Sequence, residues 1–294
     1  MRDPKTILIT GASSGIGAAL ARLYAAEGVT LVLTGRDLDR LDAVAAACRD
    51  DGATVRHATV DVTDSAFLTR WLVEVDSATP IDLVIANAGV SGGGGGKDGA
   101  VGEPADQVRR LFAINVDGVL DTVLPIVDRM VERARRRKED GLGDGPHGQI
   151  ALMSSLASFR GFPGAPAYAA TKAAVRVWGE GLRPALAPHG VAVSVICPGF
   201  VKSPMTARNP YRMPFLMEAD KAARIIRRGL ARNRGRIAFP WPTYWMVLLL
   251  AALPPALVDR LLKRTPAKPA LDPRADAAGS GPGTAGGRPD APDR

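Results

Sequence analysis

The sequence predicts an α/β protein, a single doubly wound parallel sheet of about seven strands with helices on both faces. Three observations lead there. Short β-branched and aliphatic runs alternate with helix-period segments from Lys5 to about Pro240, the rhythm of βαβ units. A content of 46% apolar and 23% charged residues suffices for a sizeable core and excludes wholesale disorder, collagen and coiled coil. A chain of 294 residues is long for one domain, but doubly wound and barrel α/β domains reach that length.

The elements follow in order. Met1-Arg2-Asp3-Pro4-Lys5 leads into the first strand, Thr6–Thr10, with no long apolar stretch and no small-residue cleavage site, so no secretory export is expected. Further strands are expected at Thr30–Thr34, Thr54–Val60, Leu83–Ala86, Gln149–Met153, Ala192–Ile196 and Arg236–Phe239. Helix ends are punctuated. Gly28 and Gly52 follow helical runs, while Asp37, Asp39 and Thr63-Asp64 open others. Gly92 to Gly96 is an unbroken glycine run that reads as a mobile linker, and Arg135-Arg136-Arg137-Lys138 reads as the solvated basic end of a long helix.

Between the first strand and helix lies Gly11-Ala12-Ser13-Ser14-Gly15-Ile16-Gly17. The first glycine permits a tight turn, the middle one admits a pyrophosphate close to the backbone, and the helix N-terminus offers N–H groups and a positive dipole end. Farther on, Tyr168-Ala169-Ala170-Thr171-Lys172 sets a phenol and an ammonium one turn apart on one helical face. A tyrosine titrates near pH ~10, so it exchanges protons at neutral pH only if a nearby cation stabilises the phenolate.

The G-x3-G-x-G spacing of TGASSGIG resembles the short-chain dehydrogenase/reductase family, and so do the other motifs over roughly the first four-fifths of the chain. The resemblance implies a Rossmann-type NAD(P)-binding fold with Gly11, Ser13, Ser14, Gly15, Ile16 and Gly17 at the phosphates. It implies that Asp61-Val62 meets the adenine, that Asn87-Ala88-Gly89 supports the sheet and lines the cleft, and that Pro198-Gly199, Val201 and Ser203 lie at the nicotinamide side. Ser203 stands where the family usually has threonine. Ser155, thirteen positions before Tyr168, matches the family's spacing. It would hold the substrate oxygen, as an oxyanion donor does. Tyr168 would move the proton, Lys172 would lower its pKa and bind the nicotinamide ribose, and Asn115 would hold a relay water. Ser154 is a rival, but strand alternation turns only one of the pair to the cleft.

At the end of the second strand, Thr34-Gly35-Arg36 lacks the carboxylate that would repel a 2′-phosphate and supplies an arginine that attracts it. NADP is therefore the expected cofactor and NAD the alternative, with Asp37 read as a helix-opening acid. The formal charge of +8 and a pI near 9.9 permit a phosphorylated ligand, nucleic acid or an anionic membrane, but no nucleic-acid reader motif is present. Cys48 and Cys197 are too few for a disulfide framework and point to a reduced, cytoplasmic setting. His57, His147 and His189 have no metal-ligand spacing, so no metal is expected.

The chain divides into a catalytic domain (1–240), an apolar segment (241–264) and a tail (265–294) that is Pro-, Gly- and Ala-rich and expected to be disordered. Prolines interrupt the apolar segment, which argues against a spanning helix. The resemblance implies that this segment covers the substrate entrance and that the chain forms a homodimer or homotetramer, so the segment is expected to meet either a sister subunit or an anionic membrane. In the second case Trp241, Tyr244 and Trp245 would lie at headgroup level. Phe200, Met205, Tyr211, Met213, Phe215, Leu216 and Met217 suit a lid over a hydrophobic small-molecule substrate. Two functions fit: an oxidoreductase on an alcohol/carbonyl pair, or a catalytically silent sensor or interaction protein that binds NAD(P).

Overall fold

Seven parallel strands form within a residue or two of their expected places: β1 (Thr6–Thr10), β2 (Thr30–Gly35), β3 (Thr54–Thr59), β4 (Leu83–Ala86), β5 (Gly148–Met153), β6 (Val191–Pro198) and β7 (Arg236–Phe239). The computed structural model describes residues 3–94, 102–141, 147–263, 268–271 and 284–286. A short β8 (Thr284–Gly286) adds an antiparallel strand beside β3, giving the order β7-β6-β5-β4-β1-β2-β3-β8. The reversal of strand order between β1 and β4 opens a crevice at the strands' carboxyl ends, where ligands bind in such sheets.

The helices are α1 (Gly15–Tyr24), α2 (Leu38–Asp50), α3 (Ser65–Ala78), α4 (Ala105–Phe112), α5 (Gly118–Glu139), α6 (Pro166–Leu186), α7 (Pro204–Ala207), α8 (Ala219–Ala231), α9 (Trp241–Ala252) and α10 (Pro255–Leu262). Successive strand side chains point to opposite faces, so β1 sends Ile7 and Ile9 to one core and Leu8 to the other. The first core takes the apolar faces of α1, α2 and α8, and the second those of α3, α5 and α6. This two-sided burial explains why β1, β5 and β6 are buried from end to end. Each fully buried Leu or Ile contributes ~1.5–3 kcal/mol.

Polar staples fix the frame around the crevice. The Asp82 carboxylate accepts the Lys5 and Thr6 N–H groups at 2.8 and 3.0 Å, holding the start of β1. Asp76, buried on α3, accepts from Arg129 and Arg133 of α5 and from the Ile81 N–H. The basic end of α5 is paired internally, Arg135 with Glu132 and Glu139, and Arg136 with Glu132.

Two expectations change. The tail from residue 265 was expected to be disordered, yet Lys268–Leu271 run back over the crevice and Thr284–Gly286 pair with β3. The remainder of 265–294 lies outside the described residues, as do Gly95 and Gly96 of the glycine run. Gly93, expected in a free linker, is held at both ends of its peptide: its N–H donates to Pro269 O at 3.0 Å and its carbonyl accepts from the Gln107 amide at 3.1 Å.

Candidate active site

The crevice is a cleft of about 830 Å³. At one end is the turn between β1 and α1. Gly11 adopts a φ of +67°, and a Cβ there would lie 2.9 Å from the Ala88 Cα, so the turn presses against the end of β4. Asn87 secures it, donating its side-chain amide to Thr10 O at 2.9 Å and Gly11 O at 3.2 Å. Ser13, Ser14, Gly15 and Ile16 line the cleft, where the first turn of α1 offers N–H groups without intrahelical partners. Gly17 packs behind the turn instead: a Cβ there would meet the Gly11 carbonyl oxygen at 2.2 Å.

Arg36 lines the cleft at the end of β2, and Asp37 caps α2. The Asp37 carboxylate accepts from the Arg40 backbone N–H at 3.0 Å and Nε at 2.8 Å, and these bonds hold its pKa below the ordinary range. Sequence reasoning missed Arg40, which lines the cleft as a second cation one turn beyond Arg36. The buried Thr34 hydroxyl, also in the lining, has no protein partner. Asp61 lines the cleft and binds the Thr63 N–H and hydroxyl through Oδ1, while Val62 packs beside it. These features fit a dinucleotide: a glycine turn with little room for a Cβ, helix N–H groups without intrahelical partners, Arg36 and the Asp37-paired Arg40 at the β2 end, and the orphaned Thr34 hydroxyl in the same lining.

The chemistry-bearing side chains gather at the other end. Proline at its start opens α6, which carries Tyr168 and Lys172 into the cleft one turn apart. Ser155 follows β5, with its hydroxyl accepting the Ala157 N–H at 3.1 Å and facing the Tyr168 phenol across the cleft lining. Ser154 turns the other way and donates to the Lys172 backbone carbonyl at 2.7 Å, so the two neighbours are divided between the phenol and the helix backbone. Burial pushes the Tyr168 phenol up, and the neighbouring Ser155 hydroxyl offsets part of that rise. The Lys172 ammonium is directed to Met153 O, to which it donates at 3.0 Å, rather than to the phenol. Its own pKa is pushed down to about 8, first by burial and then by repulsion from Lys268.

Asn115 sits behind the cleft wall, fully buried in a single π-helical turn, Ala113–Asp117, that joins α4 to α5. Such turns insert one residue into a helix and re-aim its side chains. Its amide exchanges two hydrogen bonds with the Val90 backbone, at 2.8 and 2.9 Å, and donates to the Thr171 hydroxyl at 3.1 Å. The contacts tie the loop after β4 to α6. Gly89 lies between Asn115 and Lys172; a Cβ there would come within 3.0 Å of the first and 3.1 Å of the second.

Pro198, Gly199, Val201 and Ser203 line the cleft beyond β6. The Ser203 hydroxyl caps α7, accepting the Thr206 N–H at 3.2 Å, while the Thr206 hydroxyl accepts the Ser203 N–H at 2.9 Å. Of the expected lid residues, Phe200, Met205 and Tyr211 line the cleft, with Phe200 and Tyr211 edge to face at 6.3 Å. Phe215 and Leu216 face solvent, and Met217 enters the core. Helix α9 adds Thr243, Met246 and Val247 to the wall. The strap Lys268–Leu271 closes the side between the loops after β4 and β5 and brings in Lys268, a second residue that sequence reasoning missed.

The comparisons agree with this architecture. The family model described as short chain dehydrogenase matches residues 5–212. The chain is 38% identical over 261 residues to an uncharacterized oxidoreductase of Myxococcus xanthus (strain DK1622), covering 88% of this chain and 97% of that one. Among solved structures it resembles a short-chain dehydrogenase from Sphingobium yanoikuyae in complex with NADPH, with a TM-score of 0.70, 30% identity, and coverage of 85% of this chain and 97% of the other. It also resembles the bulky-bulky ketone specific alcohol dehydrogenase from Comamonas testosteroni, with a TM-score of 0.67, 27% identity, and coverage of 86% and 96%. The match extends through β1–β6 and the residues gathered around Tyr168, and on that extent the chain belongs to the short-chain dehydrogenase family.

Proposed function

We propose that the protein is an NADP(H)-dependent oxidoreductase that interconverts a carbonyl compound and its alcohol, with Tyr168 as the acid/base. The observation that carries this reading is the gathering of Ser155, Tyr168 and Lys172 in the same cleft as the glycine turn, with Lys172 one helical turn from the phenol. When bound, the nicotinamide supplies or accepts the hydride. Ser155 holds the substrate oxygen and stabilises the charge that develops on it, and Tyr168 delivers a proton to that oxygen or removes it. Lys172 binds the ribose hydroxyls, and its charge there favours the phenolate. Asn115 is a positioning residue, holding the Val90 loop and, through Thr171, the helix that bears Tyr168.

Arg36 and Arg40 support NADP over NAD: both line the β2 end of the cleft, and Asp37 is engaged as a helix cap rather than free to take a ribose hydroxyl. The Sphingobium relative's NADPH is in keeping with this choice. Oxidation of NADPH across a panel of ketones and aldehydes, with Tyr168→Phe as control, tests the reading. Tight NADPH binding with no Tyr168-dependent turnover would instead favour a silent sensor.

A second surface favours contact with an anionic membrane. Trp241, Trp245 and Leu249 on the outer face of α9 are 73%, 65% and 64% exposed, beside exposed Leu257 and Leu261 of α10 and the cations Arg260 and Lys263. No helix among the described residues is long and apolar enough to cross a membrane, so the contact is at the surface. Flotation with phosphatidylserine vesicles should carry the wild type and leave the Trp241→Ser/Trp245→Ser/Leu249→Ser variant behind. If both stay at the bottom and the variant alone is monomeric by sedimentation, the face belongs to a sister subunit.

A further inference from the structure

Lys268 is a charge in the cleft that the acid/base machinery does not use. Its ammonium lies 4.2 Å from the centroid of the Tyr168 ring and donates to the Ser91 hydroxyl at 2.6 Å. No carboxylate among the described residues pairs with it, and burial pushes its pKa down to about 8. The cleft it enters has apolar wall residues, among them Leu156, Phe162, Phe200 and Met246. A cation desolvated without a counter-charge costs free energy, and an anion supplied from outside would remove that cost.

The backbone shows that this position is held from several sides. Lys268 N–H donates to Gly164 O at 3.1 Å, Gly93 N–H to Pro269 O at 3.0 Å, and Leu271 N–H to the Gln107 side chain at 2.7 Å. The approach is close enough that a Cβ on Gly93 would lie 2.1 Å from Gly164 O and 2.7 Å from Lys268 Cβ. These contacts seat the strap on the loops after β4 and β5, beside the phenol, and not on the β1–α1 turn or the β2 end where phosphates belong. The ammonium hangs over the ring of the same tyrosine whose hydroxyl meets the substrate oxygen.

We infer that Lys268 is a substrate-binding residue that takes the carboxylate of an apolar oxo acid, or of the hydroxy acid formed from it, with the carboxylate a carbon or two from the carbonyl held by Tyr168 and Ser155. The inference rests on the proposed oxidoreductase reading for the carbonyl and on the cleft's own charge and apolar walls for the carboxylate.

Calorimetric titration of the full-length protein with octanoate and with octanamide, in the presence and absence of NADP, reads the carboxylate site without turnover. Octanoate should bind at least tenfold more tightly than octanamide. Lys268→Met should erase that margin, and Lys268→Arg should keep most of it; Lys268→Gln replaces the methionine variant if that one fails to fold. Equal binding of the two probes by the wild type, or a margin that survives in Lys268→Met, overturns the proposal. So does a loss of NADPH affinity as large as the loss for octanoate, which would assign the cation to the cofactor. In turnover, the ratio of kcat/KM for 2-oxooctanoate to that for its methyl ester should fall from tenfold or more to near one in Lys268→Met. If Lys268-dependent octanoate binding holds but no Tyr168-dependent turnover of either compound is found, the oxidoreductase reading fails and the carboxylate site stands.

Discussion

The two ends of the cleft are built in different ways. The β1–β2 end is built mainly from one short stretch, Gly11 to Arg40, with close backbone approaches and one capped helix, and Asn87 and Ala88 after β4 brace its glycine turn. The end around Tyr168 is assembled from the loops after β4, β5 and β6, from α9 and from Lys268–Leu271, residues scattered from 89 to 271. Local chemistry specifies the first. The second exists only once the chain has folded, so substitutions in the two regions should separate into effects on cofactor affinity and effects on substrate selection.

The largest expected effect tests the chemistry at their junction. Tyr168→Phe should lower kcat by ~10³, within the range for loss of a general acid, while NADPH affinity measured by fluorescence titration stays near that of the wild type. A fall of less than tenfold would take the acid/base role from this residue. Next, Arg36→Ala combined with Arg40→Ala should raise KM for NADPH by about ten- to a hundredfold per lost contact, since a charge-assisted hydrogen bond contributes ~1.5–3 kcal/mol. KM for NADH should hardly move. Equal losses for both cofactors would show that the arginines support the loop rather than read a phosphate.

The smallest effect is on stability and belongs wholly to the Tyr168 end. Lys172 and Lys268 both have pKa values held near about 8 in the folded protein, against 10.5 for an ordinary lysine. Above pH 8 the unfolded chain therefore binds more protons than the folded one, and this contribution to stability rises with pH. The buried thiols Cys48 and Cys197, pushed up from 9.0 to about 11, act in the opposite sense above pH 9, which leaves pH 8 to 9 as the clean window. Relative to Lys268→Met, the wild type should gain about 1 kcal/mol of stability between pH 8 and pH 9, read as a rise in its relative melting temperature. A difference that does not vary with pH would mean that Lys268 keeps its ordinary pKa.

The contrast between the two ends also explains what could be read in the sequence. The strands were legible because burial on both faces leaves near-continuous apolar runs, and the glycine turn because its spacing is local. The Tyr168–Lys172 pair followed from the helical period; the strand period said that only one of Ser154 and Ser155 could face the cleft, and the resemblance to the family's serine-to-tyrosine spacing selected Ser155. Arg40 was hidden because a basic residue in the first turn of a helix carries no signal until Asp37 is seen to cap that helix. The strap was hidden for a different reason. Its segment is low in large apolar residues and without period, and it is held by backbone hydrogen bonds to loops more than a hundred residues away and by side-chain bonds from Lys268, Gln107 and Arg208. The preference of Ser203 for capping α7 was equally silent, since its hydroxyl suits either duty.

The chain at residue 93 passes so close to residue 164, beside the strap at the cleft, that a Cβ there would lie 2.1 Å from Gly164 O. Because a single methyl group at position 93 would act as a wedge there, a small library at that one site offers a way to broaden the range of accepted compounds while the reacting groups stay where they are.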